Sequence, residues 1–255
     1  MRIFATGRMG SIGKHLDGVD SLSIRFPSKE ADMQNELTYR KCDTLIHLAA
    51  VTNPIQVAQD KIYSGYINVD APVALLKAFI KSGGEQFVFA STGHIYGPQV
   101  VGHLSLETDE PNPISAYAEQ KLKAESALIE VATRHEIDLT ILRIFSVFGS
   151  SMANHYLAGT VSSQVGKQTS FPIIHNSEDV RDFSSPPWVA EKINEFCYLK
   201  RGGITICNIA SGIPMSIREK VLLEFPLWPA NCFDGLQSNM SWLVGSNQLL
   251  NGLLP

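Results

Sequence analysis

Cysteine is scarce in this sequence, and no group of residues has the spacing of a metal site. The 255-residue chain has four cysteines, which are far apart: Cys42, Cys197, Cys207 and Cys232. A disulfide framework or a zinc site would need paired or clustered cysteines. We therefore expect no bound metal and a reducing, cytoplasmic environment.

Long hydrophobic runs and long basic runs are also missing. The most apolar stretch, residues 139–148, is interrupted by Arg143 and is too short to cross a bilayer. The N-terminus enters an apolar strand at once, without the charged leader and apolar stretch of a signal peptide. The formal net charge is -4, so nothing suggests a basic surface for a nucleic acid or an anionic membrane. We expect neither as a partner.

What the sequence does contain is an alternation of short β-rich runs with longer helical patterns. This alternation predicts an α/β fold with a doubly wound parallel sheet covered by helices on both faces. We expect one structural unit, with a core in residues 1–150 and a small C-terminal lobe in residues 151–255 that is interleaved with the last elements of the core. The predicted strands are residues 2–5, 22–26, 44–48, 86–91, 139–145 and 205–209, and the predicted helices include 71–81 and 116–134.

A glycine-rich turn, TGRMGSIG at residues 6–13, directly follows the first predicted strand. Gly7 would allow a tight exit from the strand, Gly10 a close approach of backbone to a pyrophosphate, and Gly13 close packing of a following helix. The first amides of that helix would face the phosphates. In isolation this could be an ordinary strand-to-helix connection, but its position favours a dinucleotide site. The residues expected to line it are Gly7, Arg8, Met9, Gly10, Ser11, Ile12 and Gly13.

Positive charges occupy the region that distinguishes the two nicotinamide dinucleotides. A carboxylate after the second strand would bond the ribose 2′-hydroxyl of NAD. Here that region reads SIRFPSK, and Arg25, Lys29 and Arg8 could instead hold a 2′-phosphate. We therefore expect NADP in preference to NAD, with Arg25 in the cofactor site. The alternative is that Arg25 and Lys29 are only solvated surface charges.

Tyr117 and Lys121 are four residues apart in a predicted helix and therefore share one face. A nearby ammonium stabilises phenolate, so we expect Lys121 to lower the pKa of Tyr117 and make it an acid or base for a carbonyl or alcohol. The cofactor would supply the hydride. Such pairs also occur by chance on helix surfaces. Hydroxyl residues after the strand that ends at Ser91 favour the functional interpretation, because α/β folds bind ligands at that edge.

Taken together, these motifs resemble the extended short-chain dehydrogenases/reductases, specifically the NAD-dependent epimerase/dehydratase family that acts on nucleotide sugars. The resemblance covers nearly the whole chain and implies a Rossmann-like fold and an NAD(P)-dependent enzyme with a small-molecule nucleotide-sugar substrate. The matching segments are TGRMGSIG at 6–13, HLAA at 47–50, NVDAP from Asn68, FVFASTGHIYG at 87–97, ISAYAEQK at 114–121, LRIFSVFG at 142–149, RDF at 181–183 and CNIASG at 207–212.

The resemblance also implies roles for individual residues. Thr92 would be the catalytic hydroxyl that bonds the substrate oxygen, beside the catalytic Tyr117 and Lys121. Arg181 would clamp the substrate diphosphate, the alternative being an ordinary ion pair. The implied cofactor contacts outside the glycine turn are Leu48, Ala49, Ala50, Tyr117, Lys121 and Ile144, and the implied substrate contacts are His94, Ser146 and Arg181.

Departures from the family pattern reduce the number of family reactions that this chain is expected to catalyse. Family dehydratases carry an Asp-Glu pair after the catalytic threonine, whereas this chain has Gly93 and His94, so we do not expect dehydration. His94 is expected to contact substrate, with a role as acid or base as the alternative. The departures that would shape the sugar pocket are Ser146, Phe148, Ser150 and Trp188.

Three functions follow from these observations. The leading hypothesis is an NADPH-dependent reductase of a nucleotide-linked 4-keto-6-deoxysugar, with Tyr117 as proton donor. The first alternative is a nucleotide-sugar epimerase that keeps NAD bound, and a lower-ranked one is a non-catalytic dinucleotide-sensing protein. Relatives in the family often dimerise through the helices after the third and fourth strands, so a homodimer is possible.

Overall fold

The computed structural model describes residues 1–24, 33, 35–37, 40–150, 152–154, 156–165, 171–199, 201–234 and 240–254. The strands are β1 (Ile3–Thr6), β2 (Asp20–Ser21), β3 (Thr44–His47), β4 (Gln86–Thr92), β5 (Asp138–Ile144), β6 (Ser146–Val147), β7 (Val180–Ser184), β8 (Ile204–Ile209), β9 (Pro214–Ser216) and β10 (Trp242–Leu243). The α-helices are α1 (Pro54–Gln59), α2 (Lys61–Gly65), α3 (Ala71–Lys81), α4 (Ala116–His135), α5 (Leu157–Val165), α6 (Pro186–Cys197), α7 (Ile217–Glu224) and α8 (Gln248–Leu253).

The main sheet has six parallel strands in the order β2-β1-β3-β4-β5-β8. The chain places β2 on one side of β1 and β3 on the other, so the strand order reverses between β1 and β3. Open α/β sheets bind ligands outside the carboxyl ends of the strands at such a point. The glycine turn after β1 and the segment after β3 therefore lie at the expected ligand crevice. The Rossmann-like doubly wound fold predicted from the sequence is confirmed.

Helices cover both faces of this sheet. On one face, α3 and α4 contribute Leu76, Phe79 and Leu128 to a hydrophobic core beneath β3, β4 and β5. On the other face, α6 contributes Ile193 and Phe196 to a second core. Helices cover the strands of the main sheet on both faces, and the sequences of these strands are therefore nearly continuous apolar runs, as is usual in parallel sheets.

A second, smaller sheet has a hydrophobic core of its own, and the elements that form this part of the fold, here called the lobe, are β6, α5, β7, β9, α7 and β10. Strand β7 pairs in parallel with β6 and β10, and antiparallel with β9. Phe148, Val161, Ile174 and Trp228 belong to a separate hydrophobic cluster. Strand β6 comes directly after β5, so the lobe begins at the carboxyl edge of the main sheet, where ligands are expected.

One prediction about the first crossover was wrong. β2 lies at residues 20–21, and residues 22–24 of the predicted strand 22–26 are not in a strand. The helix after the turn is a short 3-10 helix, Gly13–His15. Residues 7–19 connect β1 to β2, and the glycine turn takes up 7–12, so only one helical turn fits before β2. Arg25 and Lys29 lie outside the described residues.

The other strands and the two central helices agree with the sequence. The bounds of α3 are the predicted 71–81, with Pro72 tolerated in the first turn. Helix α4 begins at the predicted residue 116 and runs one residue further than expected, and the Ser115 hydroxyl caps it by accepting the amide of Ala118. Within the described part of the chain, none of the helices combines the length and the apolar character needed to span a membrane.

Candidate active site

The glycine turn packs tightly against the segment after β3. Gly7 has a positive φ of 71°, and a Cβ at this position would lie 2.7 Å from the Ala49 nitrogen. A Cβ on Gly13 would overlap the Gly7 carbonyl oxygen. Gly10 is different, because a Cβ there would meet only that oxygen, at 3.2 Å. Gly7 and Gly13 therefore close the turn on itself, and the exposed backbone at Gly10 can be approached by a ligand.

Arg8 holds this turn together instead of extending from it. Its guanidinium donates to three backbone carbonyls, those of Gly13, Leu16 (2.6 Å) and Val19 (3.3 Å). These bonds tie the turn to the 3-10 helix Gly13–His15 and to the residues between it and β2. The role of Arg8 toward a 2′-phosphate therefore stays a prediction, and so does the preference for NADP over NAD.

The other predicted cofactor contacts lie around the same crevice. Met9 is almost fully exposed at the tip of the turn, and Ser11 and Ile12 are half-buried. The segment after β3 is half-buried at Leu48, Ala49 and Ala50, and Ile144 is buried at the end of β5. The turn and the ends of β3 and β5 therefore converge on the same edge of the sheet, as the sequence predicts.

His47 connects the start of the turn to the end of β3. Its Nδ1 is 2.8 Å from the Thr6 hydroxyl oxygen, and its ring stacks near the Phe87 and Phe89 rings. Burial, and secondarily the charge of Lys121, lower the pKa of His47 to about 3. A neutral imidazole therefore fixes the strand ends that carry the turn. The sequence marked His47 only as part of a motif.

Acidification should destabilise the protein through His47. Below about pH 6.5 the imidazole of the unfolded chain takes up a proton, whereas the folded protein keeps it neutral down to about pH 3. The unfolded state then binds more protons, so the free energy of unfolding falls as the pH drops. We expect His47 to lower it by about 2 kcal/mol at pH 5 relative to pH 8. Urea unfolding of the wild type and His47→Gln at both pH values checks this, since the variant should lose that part of the pH dependence. Equal pH dependence in the two proteins would contradict it.

Thr92 ends β4 and caps the 3-10 helix Gly93–Tyr96. The side chain is buried, and its oxygen accepts the amide of His94 at 3.3 Å. A hydroxyl that accepts this bond can still donate its hydrogen to a substrate oxygen. A Cβ on Gly93 would lie 2.8 Å from the Phe145 ring, which leaves no room for a side chain. The carboxylate that dehydratases carry at this position therefore cannot be accommodated.

His94 and Arg181 lie close together. Desolvation of the ring, followed by the nearby Arg181 guanidinium, lowers the pKa of His94 to about 4. More than a third of His94 is exposed to solvent, which limits the desolvation of its ring. Of the two causes of the lowered pKa, the positive charge of Arg181 therefore says more about the site. Two residues predicted to contact substrate, one after β4 and one from β7, thus share a region. The third, Ser146, is half-buried on β6, the neighbour of β7.

Arg181 is held by its own strand and by the lobe. It forms an ion pair with Asp179 at 2.8 Å and donates to the carbonyls of Val180 (2.8 Å) and Ser241 (3.0 Å). These bonds use three of the five guanidinium N–H groups. The ordinary ion pair that the sequence left open is therefore present. A diphosphate would have to bind the other donors or compete with Asp179.

Tyr117 lies in the first turn of α4, and Lys121 lies one turn further on. Lys121 is buried, and its Nζ is 3.9 Å from the centroid of the Phe89 ring. Burial lowers the pKa of Lys121 to about 7, against the opposing effect of Glu125. Burial, followed by the neighbouring Tyr156, raises the pKa of Tyr117 above its ordinary value of 10. The predicted lowering of the Tyr117 pKa was wrong, because desolvation of the phenol raises it and Lys121 is not among the groups that shift it.

A buried polar network supports α4 and was not predicted. Arg143 of β5 donates to Glu125 of α4 at 2.9 Å and to the Tyr96 hydroxyl at 2.8 Å. Ser91 of β4 donates to the other Glu125 oxygen. The network ties α4 to β4 and β5, the two strands that end at the candidate site. One signal was available in the sequence, because Arg143 interrupts an apolar run and a buried charge requires a partner.

A second unpredicted contact joins the lobe to the core. The hydroxyl of Tyr156, the residue before α5, forms a hydrogen bond with the hydroxyl of Thr52, which follows β3. The Thr52 segment is in turn tied to α4, because the Asn68 side chain bonds both Val51 and Gln120. No motif marked Thr52 or Tyr156, because their contact depends on how the lobe packs over the sheet.

Comparison with known proteins decides the family. The model of the NAD dependent epimerase/dehydratase family matches residues 25–185. The chain belongs to this family. The match begins after the glycine turn and includes Thr92, Tyr117, Lys121 and Arg181. This protein is therefore an NAD(P)-dependent enzyme of the short-chain dehydrogenase/reductase type.

Relatives of this family member differ in reaction. The GDP-6-deoxy-D-mannose reductase of Pseudomonas aeruginosa is 25% identical over 241 residues, covering 87% of this chain and 78% of the reductase. The structure of RMD from Pseudomonas aeruginosa complexed with NADPH has a TM-score of 0.84 at 22% identity and covers 99% of this chain and 92% of RMD. The Thermus thermophilus UDP-glucose 4-epimerase in complex with NAD has a TM-score of 0.83 at 23% identity and covers 100% of this chain and 94% of the epimerase. At these identities the solved structures establish the shared fold.

Proposed function

We propose that this protein is a reductase of a nucleotide-linked 4-keto-6-deoxyhexose and uses NADPH as hydride donor. The observation that carries the proposal is the crowding at Gly93, where a Cβ would lie 2.8 Å from the Phe145 ring and would leave no room for the carboxylate that family dehydratases use. The Tyr117 phenol is protonated at neutral pH, and reduction of a carbonyl needs such an acid at the developing alkoxide. The 25% identical GDP-6-deoxy-D-mannose reductase supports the same direction of reaction.

We propose separate roles in cofactor binding, substrate orientation and proton transfer for residues of this chain. The glycine turn and the segment Leu48, Ala49 and Ala50 would hold the dinucleotide, which supplies the hydride when bound. Thr92 would donate a hydrogen bond to the substrate carbonyl, and Tyr117 would deliver the proton to the same oxygen. Lys121, buried at the Phe89 face, would bond the cofactor ribose, where a neighbouring hydroxyl can replace part of its lost hydration.

The same site supports exclusion of one family reaction. Dehydration in the family uses carboxylates after the catalytic threonine, and at the first of those positions the Phe145 ring occupies the space of a Gly93 side chain. We propose that His94 and Arg181 contact the nucleotide sugar from the other side of the cleft. Residues 1–150 would then bind the dinucleotide, and residues 151–255 would contribute the substrate lobe.

An epimerase that retains NAD is the second candidate, supported by the structural likeness to UDP-glucose 4-epimerase. The two functions differ in whether cofactor is consumed. In an epimerase Tyr117 must first act as a base, which its raised pKa disfavours.

Purified protein should oxidise NADPH in step with consumption of a GDP- or dTDP-linked 4-keto-6-deoxyhexose, and NADPH should act better than NADH. The decrease in absorbance of the reduced nicotinamide measures NADPH oxidation, and mass spectrometry measures consumption of the ketosugar. If the sugar is isomerised with no net loss of NADPH, the reductase proposal is wrong and the epimerase is favoured. If the protein binds both ligands without turnover, the sensing protein becomes the better description.

A further inference from the structure

The hydrogen bond between Thr52 and Tyr156 connects the lobe to the catalytic edge of the main sheet. Thr52 lies in the segment after β3 that borders the glycine turn, and Tyr156 comes directly before α5. The ring of Tyr156 packs against the lobe's own hydrophobic cluster, so its position is set by the lobe. The bond therefore fixes where the lobe stands over the carboxyl ends of the strands.

The Thr52 segment is also tied to the helix of the proposed proton donor. Val51 exchanges two hydrogen bonds with the Asn68 side chain, which donates to Gln120 of α4, one turn from Tyr117. The contribution of the Tyr156 phenol to the raised pKa of Tyr117 agrees with this arrangement. Hydroxyls from three separate parts of the fold, at Thr52, Tyr117 and Tyr156, are therefore near one another. A hydroxyl both donates and accepts hydrogen bonds, which matches the chemistry of a sugar hydroxyl.

We propose that Tyr156 is a positioning residue for the reaction at Tyr117. Its hydroxyl, oriented by Thr52, bonds the sugar of the nucleotide-linked substrate and directs the reacting oxygen toward Tyr117. The inference rests on the proposed function, because it requires a nucleotide sugar in this cleft. It goes further by assigning part of the sugar recognition to one side chain outside the family motifs, Tyr156.

A binding comparison tests this without turnover. The probes are GDP-, UDP- and dTDP-linked hexoses and the matching free diphosphates, titrated into the protein by calorimetry. Tyr156→Phe keeps the ring in the lobe and removes only the hydroxyl. We expect the variant to bind the preferred nucleotide-linked hexose about 5- to 10-fold more weakly and the diphosphate with unchanged affinity. Thr52→Val should give a similar loss, and the double variant little more than either single one, because the two hydroxyls act as a pair.

Kinetics separate positioning from a structural role. Misplacement of the reacting oxygen lowers kcat, whereas lost affinity alone raises KM. We expect Tyr156→Phe to lower kcat about 10-fold or more with the larger effect on kcat than on KM. Tyr63→Phe is the matched control, since that phenol is exposed on α2, and it should leave both constants unchanged.

Equal weakening of hexose and diphosphate binding would overturn the proposal, and so would unchanged hexose binding in both Tyr156→Phe and Thr52→Val. If the wild type binds the hexose but leaves NADPH unoxidised, the reductase assignment fails while the binding comparison still decides the role of Tyr156. If no nucleotide-linked hexose binds to the wild type, both proposals are wrong.

Discussion

Tyr117→Phe should lower kcat for ketosugar reduction by about 100- to 10,000-fold, the usual contribution of a general acid. The variant keeps the ring in the first turn of α4 and removes the proton that the substrate oxygen must receive. Because the phenol is partly buried and its pKa is raised, it is protonated throughout the neutral range and acts as the donor there. Binding of NADPH, measured by fluorescence titration, should change little.

The pH dependence of the same reaction provides a second readout for Tyr117. A donor with a raised pKa should leave the wild-type rate without a loss from this group until well above pH 10. Tyr198→Phe, a change at an exposed phenol remote from α4, serves as the control and should retain full activity. A Tyr117→Phe enzyme within a few-fold of the wild-type kcat would show that another group supplies the proton.

Much of the fold follows from local patterns in the sequence. The strands β1, β3, β4, β5 and β8 lie close to the predicted bounds, because strands buried on both faces are nearly continuous apolar runs. The crossover after β1 could not be predicted, since a glycine turn does not reveal how long the next helix is. There the Arg8 guanidinium bonds the carbonyls of Leu16 and Val19, and no spacing in the sequence reveals these contacts.

The site was predictable where it depends on short spacings and not where it depends on packing. The positions of Tyr117 and Lys121 on one helix follow from their spacing alone. The direction of the Tyr117 pKa shift depends on burial of the phenol in the folded chain, which the spacing of Tyr117 and Lys121 does not reveal. The Thr52–Tyr156 bond joins residues 104 positions apart, so no local pattern could reveal it.

The largest stability effect is expected at the ion pair beneath the site. Glu125 and Arg143 are both buried, and Glu125 also accepts the Ser91 hydroxyl. Glu125→Gln keeps the shape but leaves the Arg143 charge uncompensated, which should lower the free energy of unfolding by about 3–5 kcal/mol. Urea unfolding measures this loss, which would be a large part of the roughly 5–15 kcal/mol typical of a folded protein.

Glu130→Gln is a matched control because it makes the same change on the same helix. Glu130 pairs with Arg134 in solvent, so this variant should lose less than about 0.5 kcal/mol. Adding Arg143→Met to Glu125→Gln should restore part of the lost stability, because it removes the unpaired charge instead of repairing a contact. If the double variant is less stable than Glu125→Gln alone, the loss comes from Arg143's other bonds, to Tyr96 and the Glu107 carbonyl, and the ion pair is not what holds α4 to the sheet.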